Sequence, residues 1–334
     1  MKKLLILAVV ATIALGAFEP GQSWIEGKTW FRMNMERYDG ETEAMGFEVA
    51  RGYFTFGHQF TPTISGKFNV DIYSSDKSSD ANGAGLKIKA AYLEYSGILP
   101  DAKLQAGVIK NYFGTIYDWS YLTIEKAPED LNGITTSADA GVALAGYIPS
   151  GFGEYQLGVY NGGGYKKYNG NIDVNPAFVA NVRFIPISGV TLGGSMHFSQ
   201  YEIATDTLGG TENKNDMKIA GVLRGAYGPA ELWGEYLMRK QDETQSSCIM
   251  VMPVVTFANR FQILGRYDIW DPNADVDDDG YNLMVVGANY FLSKNTPSTQ
   301  IQVNWERATP ELADAEPTDN FSVQLRWEFK SNPF

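Results

Sequence analysis

Hydrophobic and polar residues alternate with a period of two along most of the chain. In 64–72 and 321–329, apolar side chains such as Phe68 and Leu325 occupy one set of alternate positions, and charged or polar side chains such as Lys67 occupy the other. This period is typical of extended strands with one apolar and one polar face. Charged groups at alternate positions are costly to bury in lipid or in a dry core. The polar face is therefore predicted to be wet.

The alternation predicts sixteen strands. Each strand can supply roughly the ~9–11 residues that a tilted strand needs to cross a bilayer. The weakest is 138–148, whose small residues alternate poorly. The predicted strands are 27–38, 46–60, 64–74, 85–97, 102–112, 138–148, 153–161, 176–186, 189–200, 216–227, 230–239, 247–257, 260–270, 281–292, 299–307 and 320–330.

The connections between these strands are alternately short and long. Short ones carry turn residues, as in Pro186-Ile187-Ser188-Gly189, and the eight long ones are polar, as in 74–85 and 161–175. Outer-membrane barrels combine an even strand number with short periplasmic turns and long extracellular loops. The predicted fold is therefore all-β: one transmembrane antiparallel β-barrel of about 16 strands, with short periplasmic turns and long extracellular loops. A soluble sandwich gives no reason for this asymmetry.

The amino terminus has the features of an export signal. Two lysines precede an apolar stretch, and small residues near Ala17 provide a cleavage site. We therefore expect residues 1–17 to be a signal peptide and residues 18–334 to form a single barrel domain in a bacterial outer membrane. No later segment has the ~18 apolar residues of a membrane helix, and the lone Cys248 excludes an intramolecular disulfide.

Charge is distributed unevenly over this predicted barrel. The chain carries a formal net charge of −12, and most of the acidic excess falls in the long loops, whereas the wall is predicted to be more basic than acidic. Such a wall can bias a channel toward anions, unless its charges only pair across strands and keep the lumen wet. The predicted pore-lining bases are Arg32, Arg51, Lys67, Lys87, Lys89, Lys103, Arg183, Lys218, Arg224, Arg239, Arg260, Arg266 and Arg326. The predicted wall acids are Glu36, Asp71, Glu231, Glu235, Asp268, Glu306 and Glu328.

The longest connection, 112–137, is rich in aromatic residues. It includes Tyr117, Trp119 and Tyr121, which would be poorly suited to a solvated external loop, and long loops are often functional. Folding into the barrel would bury these rings and narrow the channel. Such a constriction loop would leave three charged residues near the solute path: Asp118, Glu125 and Lys126. Packing on the barrel rim or on a neighbouring subunit is the alternative.

Several short motifs around this loop resemble the phosphate-selective porin O/P family. They are Ala91-Tyr92-Leu93-Glu94-Tyr95, 104–114, 121–126, Gly141-Val142-Ala143-Leu144, 157–162 and 286–291. The resemblance implies a sixteen-stranded porin, usually trimeric, that passes small anions. The closely spaced lumen arginines and lysines of phosphate-selective members have no residue-by-residue match here. The acidic loops also argue against a strong preference for phosphate.

One acidic loop has the spacing of a calcium site. Oxygen-bearing side chains alternate through 271–280, and a glycine follows them, as in the first part of an EF-hand loop. The pattern is incomplete because Val286 occupies the position of the closing glutamate. A solvated acidic loop is the alternative to calcium binding. The candidate ligands are Asp271, Asn273, Asp275, Asp277 and Asp279.

The remaining motifs argue against other functions. His58 and His197 are the only histidines, and nothing places either beside a nucleophile or paired acid; no phosphate-binding glycine motif or basic nucleic-acid patch occurs. We therefore predict a non-enzymatic porin through which small hydrophilic solutes or anions diffuse passively. It is expected to contact lipid and lipopolysaccharide and to form a homotrimer. No cofactor is predicted other than possible calcium. The alternatives are a structural or adhesive barrel with calcium-binding loops, and a soluble secreted β-protein.

Overall fold

The computed structural model describes residues 18–75, 77, 83–165, 175–204, 211–258, 260–292 and 299–334. The predicted signal peptide, residues 1–17, lies outside the described residues and stays a prediction. So does most of the predicted long loop at 161–175. Within the described residues, no helix is long and apolar enough to span a membrane.

Sixteen antiparallel strands form one closed barrel, which confirms the predicted fold. Each strand pairs with its neighbours in sequence, and β1 pairs with β16 to close the sheet. The strands are β1 (Ser23–Tyr38), β2 (Glu41–Thr61), β3 (Ile64–Ser74), β4 (Ala84–Tyr95), β5 (Ala102–Lys110), β6 (Ala138–Ile148), β7 (Gly153–Tyr160), β8 (Ala177–Ile187), β9 (Val190–Ala204), β10 (Thr211–Tyr227), β11 (Ala230–Gln241), β12 (Thr244–Phe257), β13 (Phe261–Asp271), β14 (Tyr281–Phe291), β15 (Gln300–Pro310) and β16 (Thr318–Lys330).

The two faces of the sheet differ as the alternation predicts. On β16, Leu325 and Trp327 are exposed on the outer face, whereas Ser322 and Gln324 are buried on the inner face. The same division recurs on β13, where the outward Tyr267 follows the inward Arg266. An apolar outer face and a polar inner face are the pattern of a membrane-spanning barrel.

The chain ends complete the barrel seam. Ser23 and Phe334 exchange two backbone hydrogen bonds, of 2.8 and 3.0 Å. The pairing of the first strand with the C-terminal segment thus continues past Pro333, which has no N–H to donate. The short turns lie on this side of the barrel, here called the turn rim, and the opposite side is the loop rim.

Two of the eight connections predicted to be long are short. Asp39-Gly40 joins β1 to β2, and Asp242-Glu243 joins β11 to β12, each as a two-residue turn. Asp39, Gly40 and Asp242 have positive φ angles, as tight hairpin turns require. The strands themselves extend to form these hairpins: β2 has 21 residues, far more than the ~9–11 needed to cross a bilayer.

Candidate functional site

The segment 111–137, here called the inner loop, lies inside the barrel. It contains one short helix, α1 (Pro128–Leu131). Because its wall contacts come from strands all around the barrel, the inner loop occupies the lumen, and packing on the rim is not the observed arrangement. The wall side chains bonded to it are Lys89, Glu154, Gln156, Arg183, Ser195, Glu235, Arg266, Tyr281, Asn289, Gln302 and Arg326.

Two apolar clusters fix the inner loop to the side of the lumen formed by β10 to β14, in addition to its hydrogen bonds around the wall. Both clusters combine loop and wall side chains. Burial of this apolar surface favours the docked position of the loop. The first cluster contains Phe113, Ile134, Ala220, Leu237, Cys248, Trp270 and Tyr281. The second contains Trp233, Met250, Met252, Val254 and Leu264, with Trp119 and Leu122 packed against them.

A pair of buried carboxyl groups anchors the base of the inner loop. Glu129 on α1 and Glu235 on β11 are both buried, and the Thr115 hydroxyl lies 3.3 Å from Glu129 Oε2 and 2.6 Å from Glu235 Oε2. The Thr115 amide also donates to Glu235, at 2.9 Å. Burial, followed by the charge of Glu235, raises the pKa of Glu129 well above its ordinary value. The docked loop therefore favours the protonated form of Glu129.

This anchor predicts a pH-dependent conductance. Docking of the loop raises the pKa of this carboxyl group, so the protonated form stabilises the docked state. This stabilisation is complete at pH values below the ordinary glutamate pKa of about 4.3. It is lost as the pH rises through the raised pKa. We expect single-channel conductance and current noise to increase as the pH rises through the raised pKa of Glu129. Glu129→Gln should abolish most of this increase because the amide is neutral.

Glu243→Gln provides the matched control, since Glu243 lies in the exposed β11–β12 turn. It should keep the pH response of the unmodified protein. The groups facing the anchor are Glu235, Thr115 and the Arg183 guanidinium on β8. An identical pH response in E129Q and the unmodified protein would show that this carboxyl pair does not hold the loop.

A buried ion pair forms the second anchor. Arg266 on β13 makes two bonds to Asp268, of 2.8 and 2.5 Å, and donates to the Lys126 carbonyl of the loop at 2.6 Å. Both charged side chains are almost fully buried, at 0% and 1% exposure. Arg266 therefore couples the wall to the middle of the inner loop.

An open cavity of about 230 Å³ remains between the inner loop and the opposite side of the barrel. This space is here called the lumen cavity. Strands β1, β2, β5 and β16 form its wall side, and the loop forms its other side. The wall residues are Lys28, Trp30, Tyr53, Lys110 and Arg326, and the loop residues include Tyr117, Trp119, Ser120, Tyr121 and Asp130.

The three charged loop residues predicted from sequence are placed differently. Asp118, Glu125 and Lys126 are not among the residues that line the lumen cavity. The Glu125 side chain accepts a bond from the Lys126 amide at 2.7 Å, and the Lys126 carbonyl accepts from Arg266. The loop side of the cavity is instead formed by aromatic rings and by Asp130. No local signal distinguished Asp130 from its acidic neighbour Glu129.

Most of the predicted pore-lining bases are paired with carboxylates. These pairs neutralise much of the positive wall expected from the sequence. The pairs and their N···O distances are Arg32–Glu48 at 3.7 Å, Arg51–Asp71 at 3.8 Å, Lys67–Glu26 at 3.7 Å, Lys103–Glu94 at 2.7 Å, Lys218–Asp216 at 3.1 Å, Arg224–Glu231 at 3.1 Å, Arg239–Asp216 at 2.8 Å, Arg266–Asp268 at 2.5 Å and Arg326–Glu328 at 2.6 Å.

Several of these partners were missing from the predicted wall acids. Glu26, Glu48, Glu94 and Asp216 all lie within ion-pair distance of a wall base. Their inward position follows from the strand parity, and Glu26 precedes residue 27, where the first predicted strand begins. The excess of positive charge on the wall is therefore smaller than expected.

Lys87 and Lys89, on β4, and Lys110, at the end of β5, have a different environment. Their ammonium groups lie over tyrosine rings: Lys87 over Tyr73 at 3.7 Å, Lys89 over Tyr165 at 3.5 Å and Lys110 over Tyr117 at 4.8 Å. Among the described residues, none of the three has a carboxylate within ion-pair distance.

The two remaining predicted bases lie away from open water in the lumen or outside the strands: Arg183 contacts the inner loop, and Arg260 lies in a turn. Arg183 is buried and donates to the carbonyl of Gly114 at the start of the inner loop, while its Nε and Nη1 atoms have no hydrogen-bond partner in the described part of the chain. It therefore holds the loop instead of facing open water. Arg260 lies in the turn between β12 and β13, at the turn rim.

The candidate calcium ligands do not form a cluster. Asp271 and Asn273 accept hydrogen bonds from the backbone amides of Asn273 and Asp275, at 3.0 and 3.3 Å. Over the ranges that the structure describes, no three His, Cys, Asp or Glu side chains are grouped closely enough to hold a metal ion. Calcium binding by Asp271, Asn273, Asp275, Asp277 and Asp279 stays a prediction from the sequence.

Solved outer-membrane barrels share this architecture. A trimeric form of OmpT from Vibrio cholerae matches with a TM-score of 0.62 and 12% identity over 93% of this chain and 100% of that chain. OmpF of Salmonella typhi, solved with daunomycin, matches with a TM-score of 0.63 and 13% identity over 92% and 98%. An anion-selective porin from Comamonas acidovorans matches with a TM-score of 0.62 and 15% identity over 92% and 99%.

These similarities establish the fold. No protein-family model matches the chain, and no curated protein matches its sequence. The chain therefore has the architecture of outer-membrane porins, and the resemblance to the phosphate-selective O/P family stays a prediction.

Proposed function

We propose that this protein is a non-enzymatic porin of a bacterial outer membrane, through which small hydrophilic solutes diffuse passively. The inner loop sets the size limit, because it fills the β10–β14 side of the lumen and leaves the lumen cavity on the other side. The apolar outer face of the barrel suits contact with lipid and lipopolysaccharide. The trimeric OmpT form supports a homotrimer.

The proposed porin favours anions over cations. The supporting observation is that Lys87, Lys89 and Lys110 lie on tyrosine rings instead of carboxylates. Paired bases contribute little net potential, whereas these three lysines, when protonated, add positive charge to one side of the lumen without a carboxylate partner in the described residues. A narrow aqueous passage through a low-dielectric wall focuses such a field and favours entry of anions.

A plugged structural barrel is the competing function, and the packing of the inner loop against β10–β14 favours it. The lumen cavity opposite the loop supports the porin instead. Planar bilayer recordings separate the two functions: a porin gives stepwise conductance, and a plugged barrel gives none.

Replacing the three lysines should weaken the anion preference. We expect the K87Q/K89Q/K110Q variant to shift the reversal potential in a potassium chloride gradient toward zero or toward cation preference. Lys240→Gln provides the matched control, because Lys240 is exposed and lies on β11 at the opposite parity to the inward Arg239. Unchanged selectivity in the triple variant would contradict the assigned role of these lysines.

A further inference from the structure

The lumen cavity is lined mainly by aromatic rings. Trp30 and Tyr53 form part of its wall side, and Tyr117, Trp119 and Tyr121 form much of its loop side. The Tyr117 hydroxyl donates to Glu154, and the Trp119 indole N–H donates to the Glu125 carbonyl at 3.2 Å. The polar groups of these two loop rings are therefore bonded to protein. Part of each ring also packs on protein, Tyr117 on Tyr112 at 4.2 Å and Trp119 on Trp233 at 6.1 Å between ring centres, and the remaining ring surface lines the cavity.

The charges around these rings are predominantly positive. Lys28, Lys110 and Arg326 line the cavity, with Asp130 on the loop side. Lys28 and Arg326 share the Glu328 carboxylate, at 3.3 and 2.6 Å. Lys110 lies over the Tyr117 ring, with no carboxylate at ion-pair distance in the described residues. A carboxylate entering this space could therefore bind Lys110 without displacing a protein ion pair.

Aromatic surface gives little benefit to a hydrated inorganic ion. Chloride or phosphate must keep its water or replace it with hydrogen-bond donors, and the apolar face of an indole or phenol ring offers neither. A flat apolar solute gains dispersion and ring contacts from the same surface. The combination of rings and an unpaired ammonium group favours a solute with one planar apolar part and one negative group.

We infer that the lumen cavity binds aromatic carboxylates, with the ring of the solute against the adjoining Trp30, Tyr53 and Tyr121 side chains and the carboxylate directed to Lys110. This inference rests on the proposed porin function and specifies its substrate class. A solute of this type should move through the pore by way of a saturable site. Acetate carries the same charge without the ring and should bind more weakly than an aromatic carboxylate.

Current block in planar bilayers tests this inference. The protein is reconstituted in potassium chloride, and sodium benzoate, sodium acetate or benzylammonium chloride is added to both sides. We expect benzoate to reduce the chloride current in a saturable manner, with an apparent affinity at least about fivefold higher than that of acetate, which corresponds to one favourable ring contact. Benzylammonium should block less than benzoate.

Two variants, one on each side of the cavity, test the aromatic contact separately, so the result does not depend on the folding of a single variant. Tyr53→Leu removes a ring from the wall, and Tyr121→Leu removes one from the loop; each should weaken benzoate block about fivefold. Tyr227→Leu is the matched control, because Tyr227 is 89% exposed near the turn rim, and benzoate should block this variant as it blocks the unmodified protein. Lys110→Gln should weaken the benzoate block while leaving any block by neutral benzamide unchanged.

The outcomes separate this inference from the porin function. Absence of stepwise conductance would overturn both. Normal conductance and anion preference, with equal block by benzoate and acetate, would overturn the aromatic site alone. Block by benzylammonium as strong as that by benzoate would overturn the requirement for a negative group.

Discussion

Gly114→Val is expected to displace the inner loop and to increase single-channel conductance several-fold, with loss of ion selectivity. Gly114 has a positive φ of 48°, and a Cβ atom there would collide with the carboxyl groups of Glu129 and Glu235. A β-branched residue in this conformation is strained by about 1–3 kcal/mol. The collision adds to that strain and acts on the anchor that holds the loop against β11.

Gly133→Val separates the two effects. Gly133 belongs to the same inner loop and has a positive φ of 64°, but no atom lies within 4 Å of the position that a Cβ atom would take there. The substitution adds the same backbone strain without the collision. Conductance should therefore increase in G114V and change much less in G133V. Equal conductance in both variants would show that the carboxyl pair is not the anchor.

The inward position of the loop illustrates what local sequence can predict. Tyr117, Trp119 and Tyr121 are unfavourable in open water, and this alone indicated a buried position. The strands were predictable for a similar reason, because alternation with a period of two is a local property. The Asp39-Gly40 pair also carries a two-residue hairpin signal, so the short β1–β2 connection could have been predicted.

The electrostatics of the lumen were much less predictable. Arg239 lies opposite Lys218 of β10 and reaches Asp216, two residues along the same strand, at 2.8 Å. Whether Arg239 is paired therefore depends on strand register. The burial of Glu129 depends on how the inner loop meets β11. A glutamate beside an aspartate in a polar segment is expected to be solvated, and only the three-dimensional contact with Glu235 gives it a different role.

The lysine–tyrosine contacts depend on both local and distant parts of the chain. Lys87 and Lys89 occupy alternate positions on β4, and a local irregularity in the pairing of β4 with β3 lies beside Lys89. Their partners come from other segments, Tyr73 on β3 and Tyr165 after β7. The net positive charge of the lumen thus comes from the bases that have no carboxylate partner among the described residues. A count of bases along the strands cannot identify these unpaired bases.

Arg266→Met should destabilise the barrel strongly. The substitution leaves Asp268 buried and without its ion-pair partner, and removal of one member of a buried pair typically costs about 3–5 kcal/mol. It also removes the bond to the Lys126 carbonyl and the contact with Trp119, whose ring centre lies 5.2 Å from the guanidinium carbon. The free energy of unfolding, measured by urea titration in lipid vesicles, should fall by this amount, and current noise should increase as the loop loosens.

The double variant R266M/D268L distinguishes loss of the ion pair from general damage to the lumen. Replacement of both charges by apolar groups of similar size removes the unpaired carboxylate, so most of the lost stability should return. Arg307→Met is the matched control: Arg307 pairs with Asp319 at 2.8 Å near the loop rim, where its side chain is 42% exposed, and its loss should change stability little. A double variant as unstable as R266M would show that the cost arises from packing of the methionine and not from the unpaired charge.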